Sequence, residues 1–171
     1  QKYNEGHIPG AIFVDLDEHL ATLPRKSQGR HPLPAAASFA ASMGALGISH
    51  RDPVVAYDDS GGMSAGRLVW MLRLVGHNAA LLDGGLNAWS TSLETEPQSR
   101  NSVDHPTRDW PTDLIADADA AGLAGSSSQE TLVDARSSDR FSGANEPVDP
   151  KGGHIPGAIN LPFAENLDAE G

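Results

Sequence analysis

The chain has 171 residues, 39% hydrophobic and 20% charged, which is enough apolar content for a packed core and argues against wholesale disorder. Twelve basic residues against 23 acidic ones give a formal net charge of −11. With no basic run of five or more, nucleic acid and anionic membranes are poor partners, and no stretch approaches the roughly 18 apolar residues of a membrane span.

In chain order, Ala11–Val14 reads as a strand, and Leu23–Pro34 as a polar loop. An Ala-rich helix follows, with Phe39, Met43 and Leu46 on one face and Gly47 as its stop. Pro53–Tyr57 is a nearly continuous apolar run, as in a strand buried on both faces. The loop Asp58-Asp59-Ser60-Gly61-Gly62-Met63 leads into a second helix, with Ser64 as expected N-cap, Leu68, Met71, Leu72 and Val75 as its apolar stripe, and Gly76 as its end. Ala79–Leu82 reads as a short strand, and Asp83-Gly84-Gly85 turns into a short helix bearing Leu86 and Trp89. Residues 94–112 are polar, contain Pro97, Pro106 and Pro111, and read as a linker. An Asp117-capped helix and a strand at Thr131–Asp134 open a second region, in which a loop carries Arg136, Arg140 and Lys151. Strands alternating with helices imply an α/β fold on a mainly parallel sheet.

The hexapeptide Gly-His-Ile-Pro-Gly-Ala occurs twice, at 6–11 and 153–158, and each copy runs into an apolar stretch. A match of this length implies a duplicated domain. The first copy lies close to Gln1 and the second close to Gly171, so the chain reads as a window on a longer protein: a first domain at 1–98 lacking its start, a linker at 99–112, and the first part of a second domain at 113–171. No signal segment is visible and the expected location is cytoplasmic, with the true N-terminus out of view because the chain begins at Gln1 rather than Met.

This order of parts resembles the tandem rhodanese family of sulfurtransferases. The marks are the repeated hexapeptide, Val54-Val55-Ala56-Tyr57 feeding a loop and an Arg-bearing helix, and Leu82-Asp83-Gly84-Gly85-Leu86-Asn87-Ala88-Trp89. Leu132-Val133-Asp134-Ala135-Arg136, Arg140-Phe141-Ser142-Gly143 and Glu146-Pro147 look like the opening of the family's catalytic domain. The resemblance implies a rhodanese-like central parallel sheet flanked by helices, with the second copy truncated. It also implies transfer of a sulfane sulfur from thiosulfate or 3-mercaptopyruvate to cyanide or a thiol, through a cysteine persulfide. The family's cysteine sits in a Gly-rich loop where amide groups and a helix N-terminus lower its pKa. Asp58 stands at that place here, and the chain contains no cysteine. The segment alone is therefore expected to be inactive, with a catalytically silent first domain. A non-catalytic binding or scaffold module is the alternative.

The resemblance assigns Arg140 and Lys151 to the anionic donor, with Lys151 one residue off the expected register. In the silent loop, Asp58 and Asp59 together fill the amide cradle, and Arg67 is expected to pair with one of them. His7 and His154 are expected to shape Pro-Gly turns, and Trp70, Trp89 and Trp110 to pack in the core or linker. Asp58, Asp59 and Asp83 match no metal-ligand spacing, and Gly61-Gly62 is not followed by Gly-Lys-Ser/Thr, so no metal or organic cofactor is expected.

Overall fold

A computed structural model describes residues 2–24 and 29–167. One compact unit extends to Trp110, and a second begins at Pro111.

In the first unit a short helix α1 (Leu16–His19) is capped by the Asp15 carboxylate, and α2 (Ala36–Ala45) is followed by β1 (Val54–Ala56). Helix α3 (Ala65–Leu74) then crosses to β2 (Ala79–Leu81), which pairs parallel to β1 with Val54 opposite Ala79 and Ala56 opposite Leu81. The apolar spacing of α2 and α3 places Phe39, Met43, Leu68, Met71 and Leu72 in one core with Leu20, Ile48, Val75 and Ala79. Met43, Met71 and Leu72 are fully enclosed, and truncating such a side chain typically costs about 2–5 kcal/mol. The outer face of the strand pair is open: Val55 is 61% exposed, where the apolar run implied burial on both faces. Beside it lies a cleft of about 480 Å³ whose lining includes Phe13, Val14, Tyr57 and Leu68.

Both long helices end in the same way. Gly47 and Gly76 adopt left-handed φ values of 72°. Ile48 N–H reaches back to Met43 O and Gly47 N–H to Gly44 O, while His77 N–H reaches Leu72 O and Gly76 N–H reaches Arg73 O. These are Schellman closures, and they explain why glycine occupies both stops.

The Gly-His-Ile-Pro-Gly-Ala copies fold alike. Each makes a proline-led turn in which Ala11 N–H donates to Ile8 O, or Ala158 N–H to Ile155 O, at 3.0 Å. The third turn residue, Gly10 or Gly157, has φ of 77° or 84°, as a type II turn requires. His7 stacks on Tyr3 with its Nδ1 at 2.9 Å from Tyr3 O, and His154 stacks on Phe141 with its Nδ1 at 2.8 Å from Phe141 O. The two histidines are fasteners between the turn and the aromatic residue before it.

The strands after the two turns differ. Ile159–Asn160 forms β4 and pairs parallel with β3 (Val133–Asp134) in the second unit, after α4 (Ala118–Ser126) and α5 (Ser138–Ser142). Ala11–Val14, expected as a strand, forms none. Among the described residues no backbone edge pairs with it; Ile12 and Val14 instead lean side chains on the core. The second unit is thinly packed: among its described residues only Pro162 is buried.

Much of segment 99–112, read as a linker, belongs to the first unit. Val103 N–H donates to Gly44 O at 2.9 Å, Arg108 Nη1 to Val75 O at 3.1 Å, and Trp110 Nε1 to Pro34 O at 2.7 Å. Trp110 also packs against Phe39, and His105 is buried, whereas Trp70 and Trp89 remain partly exposed. Proline and polarity excluded regular structure from this segment; they did not exclude docking.

Candidate functional site

The loop after β1 is organised by one carboxylate. Asp58 Oδ1 accepts from Ser60 N–H at 2.9 Å and Gly62 N–H at 2.8 Å, and Oδ2 accepts from Ser64 N–H at 2.8 Å and Ala65 N–H at 2.9 Å. Positive φ at Gly61 and Gly62 curls the backbone so that these amides converge. Partial burial pushes the Asp58 pKa up, but the amides of Ala65, Ser60, Gly62 and Ser64 outweigh it, and the net shift is downward. The Asp58 carbonyl is held too, by Leu86 N–H at 3.0 Å. A Cβ on Gly85 would meet that oxygen at 2.6 Å, which accounts for glycine in the Asp83-Gly84-Gly85-Leu86 run.

Ser64 is the N-cap residue of α3, as expected, but its side chain makes no cap bond; the Asp58 carboxylate, six residues upstream, accepts its amide instead. Two other expectations about this loop are corrected. Asp59 does not share the cradle; it pairs with Lys2 at the surface, because a second charge on the same amides would be repelled. Arg67 pairs with neither aspartate. Its Nε and Nη2 donate to Leu20 O at 3.0 and 2.9 Å, and Nη2 also reaches His31 O at 2.9 Å, so it pins two loops by their carbonyls.

The second unit holds a charged cluster. Arg140 Nε lies 3.0 and 2.9 Å from the two Glu146 oxygens, and Nη2 lies 2.7 Å from Asp149 Oδ2. Arg136 bonds Asp134 in a fork, reaches Glu146 Oε2 at 3.2 Å and donates to Gly153 O at 2.6 Å. Glu146 is the hub: its side chain is 6% exposed, and its Oε1 also accepts Val148 and Asp149 N–H. The Arg140 guanidinium first, then the Asp149 and Val148 amides, bring its pKa down to about 2. Lys151 is exposed and outside the cluster. In the sequence Glu146 stands out only as part of the Glu146-Pro147 motif. Its signal was available in the two basic residues placed six and ten positions before it. The cluster sets two guanidinium groups against Asp134, Glu146 and Asp149, so an incoming anion has to displace a carboxylate to gain Arg140.

A parallel strand–helix–strand unit with an amide cradle between its first strand and its helix, followed by a second unit that repeats the same turn, has known counterparts. The family model for the rhodanese-like domain matches residues 1–92, and the chain belongs to that family. It is 43% identical over 177 residues to a Mycobacterium tuberculosis protein with the provisional name thiosulfate sulfurtransferase SseB, covering 99% of this chain and 61% of that protein. It is 38% identical to the human 3-mercaptopyruvate sulfurtransferase, covering 100% of this chain and 59% of the relative. Among solved structures, SseA from Escherichia coli, named as a 3-mercaptopyruvate sulfotransferase, superposes with a TM-score of 0.84 at 31% identity, over 98% of this chain and 63% of that one. The chain thus spans about three fifths of the length of these relatives. No helix among the described residues is long and apolar enough to cross a membrane.

Proposed function

We propose that the chain is part of a tandem sulfurtransferase of the thiosulfate or 3-mercaptopyruvate type. Its first unit is the silent copy, and its second contributes the arm that holds the anionic donor. The observation that carries this reading is the Asp58 carboxylate seated on the amides of Ser60, Gly62, Ser64 and Ala65. Such a cradle stabilises a thiolate and binds anions; filled by a side chain that cannot form a persulfide, it does neither. Sulfur transfer then requires a cysteine from outside these residues. Its thiolate attacks the sulfane sulfur of the donor, the donor's remainder leaves with the electron pair of the broken bond, and cyanide or a thiol takes the sulfur and regenerates the thiolate. Arg140 is the donor's charged partner in this scheme, gained when the anion replaces the partly exposed Asp149. Lys151 is a second, exposed positive charge nearby in sequence.

The complete absence of cysteine favours one other reading, a module that binds or scaffolds without turnover. One experiment separates the two. The chain alone, given thiosulfate or 3-mercaptopyruvate with cyanide, yields no thiocyanate above the protein-free rate under either reading. A longer form that adds a thiol-bearing loop turns over only under the first. In that form Arg140→Ala raises the donor KM about 10- to 150-fold, the loss of one charge-assisted hydrogen bond of about 1.5–3 kcal/mol. An unchanged KM with a large fall in Tm assigns Arg140 to structure and removes it from the donor site.

A further inference from the structure

Three histidines from three separate non-helical segments meet at the end of the strand pair opposite the Asp58 loop. His50 lies two residues beyond the Schellman closure of α2, in the turn that leads to β1. His77 is the last residue of the Schellman closure of α3, two residues before Ala79 of β2. Because β1 and β2 run parallel in register, the two helix ends are brought to the same edge. His105 arrives from the segment that docks on α2 through Val103. The ring centroids are 5.4 Å apart for His50 and His77, 5.9 Å for His50 and His105, and 5.8 Å for His77 and His105.

Hydrogen bonding within the cluster is incomplete in a particular way. His77 Nε2 lies 2.6 Å from Asp52 O; the carbonyl can only accept, so Nε2 carries the proton and Nδ1 carries the lone pair. Among the described residues that Nδ1 is buried without a partner, as is His50 Nδ1, and the His105 ring has only the Pro106 carbonyl near it, in no well-formed hydrogen bond. His77 and His105 are 3% and 8% exposed. Buried imidazole nitrogens without partners are unfavourable, and native folds rarely keep several together. A carbonyl that fixes the far ring nitrogen is also the usual device for orienting a metal-bound histidine.

We propose that His50, His77 and His105 form a three-nitrogen site for a zinc-class divalent transition metal, which fastens segment 100–110 to the first unit. One ring nitrogen from each residue lies within 4.8 Å of the others. Zinc–nitrogen bonds of about 2.0–2.1 Å in a tetrahedron require separations of about 3.4 Å, so metal entry draws the rings together by up to roughly 1.4 Å. His50 in a turn and His105 in an irregular segment can supply that movement, while Asp52 holds His77. Imidazole nitrogen selects zinc, copper, nickel or cobalt over magnesium or calcium. Three neutral ligands leave the cation's charge uncompensated, and Arg108 stands close enough to bear on His50 and His105. The fourth position is left to water or an anion. The site owes nothing to the sulfur-transfer reading, since it lies at the other end of the strands.

The test uses the chain without a histidine tag. Cobalt(II) is titrated in and followed by its visible absorption, zinc is used to compete, and amide exchange of 100–110 is compared with and without zinc. The proposal expects one equivalent bound with the intense bands of four-coordinate cobalt, displaced by zinc, and slower exchange at 100–110. His50→Gln, at a half-buried turn position, weakens binding at least as much as loss of an outer-sphere partner does, about 10- to 100-fold, whereas His31→Gln, outside the cluster, leaves it unchanged. Absence of binding at micromolar metal, binding that survives His50→Gln, or exchange at 100–110 indifferent to zinc each overturns the proposal. The exchange measurement needs no variant, so a folding defect in His50→Gln does not leave the question open.

Discussion

Two carboxylates each hold a loop, by different means. Asp58 is bonded by backbone amides alone, four of them, and so does for α3 what an adjacent Ser or Asp does at an ordinary helix start. Glu146 is bonded by Arg140, by Arg136 and by two amides of its own loop. The two folded-state pKa values are depressed, so their contributions have the same sign: each is fully present above the unfolded value and is lost as pH falls through the folded one. For Glu146 the window runs from its ordinary 4.5 down to about 2. Amide signals of 136–153 should therefore lose protection progressively over that range, and Glu146→Gln should have lower protection at neutral pH with this acid limb flattened. An unchanged acid limb in Glu146→Gln would remove Glu146 from the hub. Charge proximity in sequence points Arg67 at Asp58 and Asp59, whereas the cradle satisfies one and Lys2 the other. Its guanidinium went instead to the carbonyls of Leu20 and His31, which no short-range pattern encodes.

At the level of elements, the helices and their stops were legible because periodicity and glycine act locally: Phe39, Met43, Leu68, Met71 and Leu72 are buried as spaced, and Gly47 and Gly76 close both helices. Ala11–Val14 was not, since a strand exists only by virtue of a partner edge. Segment 100–110 was not either, since its docking depends on a flat place on α2. Gly44 provides that place. A Cβ there would meet Val103 O at 2.6 Å, a backbone clash that overpacking data put at about 1–3 kcal/mol, against a helix gain of about 0.5–1 kcal/mol for Ala. Gly44→Ala should lower Tm and speed proteolysis within 99–110. Gly66→Ala in α3, where nothing lies within 4 Å, should raise Tm by the helix gain alone. Equal shifts in the two variants would contradict docking through Gly44.

For the whole molecule, the order of motifs was enough to expect the fold, and the cradle at the carboxyl end of β1 is where that expectation placed it. The His50, His77 and His105 cluster had no such signal, because gaps of 27 and 28 residues between ligands match no motif and only the parallel register unites them. The central claim is that the loop after β1 has the architecture of a sulfur-binding site and that Asp58 alone closes it. Asp58→Cys tests this directly, since the chain has no other thiol. The variant should show a thiolate pKa clearly below the ordinary value of about 8.5 when alkylation is followed against pH. On exposure to thiosulfate it should gain one sulfur atom in mass, and cyanide should remove it. A folded Asp58→Cys chain with an ordinary thiol pKa and no sulfur uptake would contradict the account.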